Sequence, residues 1–263
     1  MQKKKIVGGK KMEKQKRKLD YYALVGIKSK LWIVLLFAIF FTSGCIGPYS
    51  DCITGSGNVV SKEVTVGEFH SVDFGIDGNL YITQATPQSL RIEAEDNVLE
   101  ALTVKVENGR LTIFSYRCFR TTKPVNVYVS MEEVSDLSLS GSGTIIGQSE
   151  LNADTLKLSI SGSGSSYLTL NVEELNTVIS GSGESKVKGT AKGHTIRISG
   201  SGDLMAFDLS TERTDITVSG SGDAEVDASQ ELYVSIPGSG NVYYTGDAAV
   251  SLTVSGSGRV VKR

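Results

Sequence analysis

The sequence predicts an all-β protein, a single-stranded parallel β-helix with coils of about 19 residues, and three observations predict it. The first is a repeat. Ser-Gly-Ser-Gly, or a close copy, returns with its first glycine at positions 141, 162, 181, 200, 220, 238 and 256, in steps of 21, 19, 19, 20, 18 and 18 residues. A fixed period near this length marks stacked solenoid coils, each unable to bury its apolar face alone. The second is alternation. Two residues before each corner stand Leu139, Ile160, Ile179, Ile198, Val218, Ile236 and Val254, and two further back Leu137, Leu158, Thr177, Ile196, Ile216, Val234 and Leu252. Period two with β-branched bias is a strand with one buried face. The third is the glycines themselves. Their recurrence rules out a helix.

Each coil is therefore expected to run strand, glycine corner, strand, return turn. The corner residues are Gly141, Gly143, Gly162, Gly164, Gly181, Gly183, Gly200, Gly202, Gly220, Gly222, Gly238, Gly240, Gly256 and Gly258. Glycine takes φ > 0 without steric cost, so the corners are expected to use that freedom. Leu204 and Ala206, Ala224 and Val226, and Val242 and Tyr244 begin the strands after it.

The chain divides into residues 1–44, a basic leader; 45–52, a linker; and 53–263, the β-helix, with 53–130 irregular and 131–263 regular. The first 44 residues hold 11 of the 27 Lys and Arg but only Glu13 and Asp20 of the 29 acids. From Cys45 onward the formal charge is −11, from 16 basic and 27 acidic residues. An acidic domain without basic clusters argues against nucleic acid and against anionic lipid head groups as partners.

Within the leader, Leu31 to Phe41 is an eleven-residue apolar run preceded by Lys28 and Lys30. That is the length of a signal-peptide core, short of the roughly 20 residues of an ordinary span. Thr42-Ser43-Gly44-Cys45 follows and resembles the lipobox of prokaryotic lipoproteins. The resemblance implies cleavage before Cys45 and lipid on its sulfur. The alternative is an uncleaved membrane helix over 23–44, and Met12 is an alternative start. Either way the membrane is a partner and the β-domain is extracytoplasmic, in the cell envelope of a prokaryote. Cys52 and Cys118 can then pair as a disulfide or stand as separate thiols; the sequence leaves both open.

Along the irregular part, Thr54 to Val60 is read as an outlying copy of the corner, and Val72 to Ile82 as a degenerate coil. Leu90 to Ala94 and Val125 to Val129 alternate as strands, and Asp96 to Ala101 reads as one helical turn. Glu107-Asn108-Gly109-Arg110 sits between two strand patterns, and Asn-Gly is a strong hairpin signal. These segments are expected to cap or flank the first coils. Arg259, Lys262 and Arg263 are expected to discourage further pairing at the other end.

Gly55-Ser56-Gly57-Asn58-Val59-Val60, the segment Leu90 to Asn97, and the Ser-Gly-Ser-Gly-Asp copies ending at Asp203 and Asp223 together resemble the putative auto-transporter adhesin head domain, also called the head GIN domain. The resemblance covers roughly residues 53–263. It implies a pectin-lyase-like, right-handed β-helix on a secreted or lipid-anchored protein, and it carries over no catalytic residues. No membrane β-barrel pattern follows the repeats.

The search for chemistry supports a non-enzymatic reading. There is no Gly-x-Ser-x-Gly elbow, dinucleotide fingerprint, P-loop or zinc spacing, so the serines read as a structural ladder and no cofactor is expected. Only His70 and His194 are present, and His194 shares a register with Leu156, Leu175, Leu232 and Val250. A structural position explains it better than a catalytic base. If the coils stack, Glu184, Asp203 and Asp223 form an acidic column at about 4.8 Å spacing, which is either a solvated edge or a calcium candidate. Arg197 and Arg213 lie near it in sequence, as a polysaccharide lyase would need. Tyr233, Tyr243 and Tyr244, with Tyr116, Phe119 and Tyr128, either stack on sugars or pack the solenoid's ends. The expectation is a membrane-anchored binding or adhesion scaffold with a surface glycan or protein as ligand. Its rivals are an envelope structural or sensing component with a protein partner, and a polysaccharide-degrading enzyme.

Overall fold

In the computed structural model, residues 52–263 are described. The basic leader and Cys45 lie outside the described residues. The regular part begins with β10 (Asp136–Leu139) and continues through β11 (Thr144–Ile160), β12 (Ser165–Ile179), β13 (Glu184–Ile198), β14 (Asp203–Val218) and β15 (Ala224–Ile236). It ends with β16 (Val242–Thr245), β17 (Ala249–Val254) and β18 (Val260–Lys262). Every neighbouring pair in this stack is parallel.

The predicted apolar positions lie in register. Leu137, Leu158, Thr177, Ile196, Ile216, Val234 and Leu252 form one inward row, one residue per coil. The row of Leu139, Ile160, Ile179, Ile198 and Val218 runs beside it, and all five are buried. After the corner, Ile145, Ser166, Ser185, Leu204, Ala224 and Val242 make the opposing inward row. Stacking thus joins small amphipathic strands into one continuous core.

The repeat extends one coil below its first clear copy. β3 (Ser71–Phe74) pairs with β10, placing Val72 beside Leu137 and Phe74 beside Leu139. β4 (Asn79–Gln84) pairs with β11, with Leu80 beside Ile145. Beneath these lie β7 (Arg110–Phe114) and β9 (Asn126–Met131), which continue the rows with Leu111, Ile113 and Val127. In that lowest coil the tight corner is replaced by the excursion 115–125.

The remaining elements cover this end. β5 (Ser89–Glu95) lies antiparallel to β9, and β2 (Val59–Glu63) antiparallel to β5. The single-turn helix α1 (Asp96–Leu99) follows β5 and buries Val98. β6 (Thr103–Glu107) forms an antiparallel hairpin with β7 across Asn108 and Gly109, whose φ values are 52° and 72°. Two successive residues at φ > 0 are what a type I′ turn requires, so the Asn-Gly signal is realised.

Three details differ from the sequence reading. The corner glycines are absent from the positive-φ residues, which among the described residues are Asn108, Gly57, Gly109, Gly189 and Gly246. Their reason is crowding: a Cβ on Gly162 would collide with the Gly141 carbonyl oxygen, and one on Gly181 with that of Gly162. Backbone passes so closely over backbone that only hydrogen fits. Nor is there a separate return turn. From β11 to β15 each coil is one strand of 13 to 17 residues, bent where the register shifts, as between Ile146 and Glu150 or Lys186 and Gly189. A bulge bends a strand without ending it. Finally, Gly55-Ser56-Gly57 does not stack on the corner ladder. β1 (Ile53–Thr54) instead runs parallel to β8 (Phe119–Arg120), inside the excursion of the lowest coil.

Candidate functional site: outward columns and an N-terminal clasp

Strand alternation that sends one set of side chains inward must send the other outward. On the sheet after the corner, the outward residues make two neighbouring columns. The first is Asn126, Asn79, Thr144, Ser165, Glu184 and Asp203 in direct register, continued by Asp223 and Asn241. The second is Tyr128, Tyr81, Ile146, Tyr167, Lys186 and Met205, continued by Glu225 and Tyr243. A hydroxyl, amide and carboxylate stripe thus borders one of tyrosines and aliphatic side chains interrupted by Lys186 and Glu225.

Toward both of its ends the polar column bonds along the axis. The Asn79 amide donates to Asn126 at 3.0 Å. An Asp203 carboxylate oxygen accepts the Asp223 backbone N–H at 2.7 Å, and an Asp223 oxygen accepts the Asn241 backbone N–H at 2.7 Å and its side-chain amide at 3.0 Å. The acidic column therefore exists, but Asp203 and Asp223 each turn an oxygen to the next coil's backbone. Among the described residues no three His, Cys, Asp or Glu side chains converge as metal ligands.

The second column is half-buried over most of its length and exposed at Tyr167 and Lys186. Tyr81 and Tyr128 stack with centroids 5.0 Å apart at 13°, and the Arg91 guanidinium lies 4.0 Å over the Tyr128 ring. Burial, then the hydrogen bond to Glu93, holds the Tyr128 phenol above its ordinary range, so it stays a donor. Tyr167 is 44% exposed and lines an open groove of about 260 Å³ with Ile146, Lys186 and Lys188. At the far end the Arg263 guanidinium lies 4.7 Å over Tyr243. Tyr116 is exposed beside Phe114, Tyr233 is 45% exposed, and Phe119 and Tyr244 pack against the core.

The lyase arrangement is not assembled. Arg213 reaches Glu174 at 3.6 Å, and Arg197 sits on the strand before the corner, beside Val178 and Thr217. His194 lies in the interior between Leu175 and Thr214, 2% exposed, with Nε2 2.9 Å from the Thr177 hydroxyl. Burial lowers its pKa to about 3, so the imidazole is neutral at physiological pH. His70 is exposed at the capped end, where Nδ1 lies 2.8 Å from the Ser135 hydroxyl.

Sequence reasoning missed the clasp at the capped end. Glu95 is fully buried, and its carboxylate accepts the Gly57 N–H at 2.7 Å, the Thr122 N–H at 2.9 Å and the Thr122 hydroxyl at 2.6 Å. Next to it, Asp96 accepts from the Ser56 hydroxyl at 2.5 Å and the Asn58 amide at 3.0 Å. Asn97 accepts the Ser56 N–H and donates to the Thr54 carbonyl. The Thr122 hydroxyl bond, with the backbone donors, holds Glu95 below the usual carboxylate range. Cys52 and Cys118 are joined here as a disulfide with Cα atoms 4.6 Å apart. The signal lay in Gly55-Ser56-Gly57-Asn58 and Glu95-Asp96-Asn97, two polar motifs whose contact across about 40 residues the sequence does not reveal.

Comparison with known proteins places this geometry. The family described as putative auto-transporter adhesin, head GIN domain, matches residues 68–248, more than half of the chain. No protein of curated function matches it. Among solved structures, a putative adhesin from Bacteroides fragilis is similar at 24% identity, with a TM-score of 0.76, over 80% of this chain and 100% of that one. A putative lipid binding protein from Parabacteroides distasonis is similar at 23% identity, with a TM-score of 0.67, over 80% of this chain and 99% of that one. A putative adhesin from Parabacteroides merdae is similar at 23% identity, with a TM-score of 0.65, over 81% and 99%. At these identities the structures speak for the fold.

Proposed function

The chain belongs to the head GIN domain family of putative auto-transporter adhesins, and from that premise we propose that it is a non-enzymatic binding and adhesion scaffold held at the cell surface. The observation that carries this reading is the outward polar column, which presents a hydroxyl, amide or carboxylate at every coil along one sheet face, beside a column that holds four tyrosines. Individually weak contacts on such a face add by multivalency when the target also repeats. The stacked coils fix the spacing of the contacts in advance, which spares ordering entropy on binding. Surface glycans suit this face, since hydroxyls and amides bond sugar hydroxyls and tyrosines offer apolar contact. The anchor in this reading is the Cys45 lipid or the apolar segment that precedes it.

The test titrates the protein against a panel of surface glycans and whole cells, with and without calcium, while following unsaturated uronate product in the same wells. Saturable binding without product is expected. Calcium dependence would assign the Glu184, Asp203 and Asp223 column. Product formation would overturn the non-enzymatic reading, and silence in both channels would favour an envelope role with a protein partner.

A further inference from the structure

The two ends of the described solenoid are unlike. One is closed by β5, β2, α1 and the β6–β7 hairpin, while at the other β17 pairs with β15 alone. In that pairing Val250 lies beside Leu232, Leu252 beside Val234 and Val254 beside Ile236. Leu232, Val234 and Ile236 are at most 3% exposed, whereas Val250, Leu252 and Val254 are 36%, 53% and 44% exposed. Positions that are core in every earlier coil therefore face water in this one. The free edge of β17 also presents peptide groups without a ladder partner, a template for another strand.

The row is complementary to itself. A two-fold axis through Leu252 lays β17 antiparallel to β17 of a second copy. Antiparallel pairing about residue 252 sets Leu252 against Leu252, and Val250 against Val254. Ser251 then faces Thr253, so apolar meets apolar inside and hydroxyl meets hydroxyl outside. All six residues of β17 are uncharged. Of the basic residues expected to guard this end, Lys262 pairs with Asp247 at 3.2 Å and Arg263 lies over Tyr243, while Arg259 is exposed just before β18 rather than on β17. A head-to-tail stack would need an open end at β2, β5 and α1. That end is covered, so the contact closes at two copies.

We propose that the β17 end is a homotypic docking surface on which two copies of this chain meet end to end. The inference rests on the adhesive reading and deepens it by naming the partner as a second copy. The chain enters the domain at the opposite, clasped end, through Cys52. The docking end is therefore the end of the domain opposite to the chain's point of entry.

The test uses the full chain in detergent micelles, followed by sedimentation across a concentration series. Leu252→Lys and Leu252→Asp are made separately and then mixed. The wild type is expected to associate to two copies. Each variant alone sets like charges face to face and weakens association by about a hundredfold or more. An equimolar mixture of the two restores pairing, which a merely misfolded variant could not do. A wild type that stays single, association indifferent to residue 252, or growth beyond two copies overturns the proposal. None of these touches the adhesive reading, which the cell and glycan titration decides separately.

Discussion

At the residue scale, the interior polar groups show how the repeat tolerates exceptions. Thr177 stands in an otherwise apolar row, and His194 between Leu175 and Thr214; its Nδ1 is buried without a partner among the described residues, but one coil apart the Thr177 hydroxyl and the His194 Nε2 bond each other. Ser166 and Ser185 do the same across the opposing row, at 2.8 Å. Stacking makes a polar residue acceptable inside when the next coil supplies its partner. His194 has a measurable consequence. The folded state holds it neutral down to about pH 3, while the unfolded chain binds the proton near the ordinary 6.5. The unfolded state therefore binds more protons between these values, and stability falls as the pH drops below 6.5, by up to about 1.4 kcal/mol per pH unit. Denaturant melts of the wild type between pH 6.5 and 5 should show this slope, and His194→Leu combined with Thr177→Val should flatten it. An unchanged slope would place the sensitivity elsewhere.

At the scale of elements, the clasp converts a loose chain entry into a fixed one. Gly55 shows how close the fit is, since a Cβ there would collide with the Glu95 carboxylate. Replacing Glu95 by Ala would release the Gly57 and Thr122 donors to water and undo the clasp, and should lower the domain's stability in equilibrium unfolding. Acid should act in the same direction. Glu95 is held below its usual 4.5, so its contribution is present above that pH and is lost as the pH falls through the lowered folded value. The hydrogen-exchange protection of residues 53–58, relative to the intrinsic rate at each pH, should fall first on acidification. Uniform exchange across the domain would argue against a local clasp.

How much of this was legible follows from where the physics is local. Alternation, glycine recurrence and Asn108-Gly109 act within a few residues, so the coils, the degenerate coil at Val72 to Ile82 and the hairpin could be read directly. The opening Gly-Ser-Gly was misassigned because composition alone cannot distinguish a corner from a clasped strand end; the partners at Glu95 to Asn97 decide it. The return turn was expected because a coil must close, yet bulges and Gly189 (φ 114°) close it without breaking the strand. The outward columns were half legible. Glu184, Asp203 and Asp223 could be aligned by counting from the corner, but Tyr128, Tyr81 and Tyr167 come into line only through the pairing of β9, β4, β11 and β12.

At the scale of the whole described domain, the two ends and the long face differ in structure. One end is clasped where the chain enters, one end leaves β17 open, and the face between carries a polar side chain at every coil. A solenoid's stability is close to a sum of coil and neighbour terms, so a coil can be removed without destroying the rest. A scaffold that binds along its length should then lose affinity in proportion to its length, whereas a single discrete site should be either kept or lost. The decisive measurement is whole-cell binding by the chain lacking residues 181–199, which joins Ser180 directly to Gly200 and removes one 19-residue period. The account predicts a protein that still melts cooperatively and binds the same cells with graded, weaker avidity. A folded deletion variant that binds with undiminished avidity, or loses binding altogether, would contradict it.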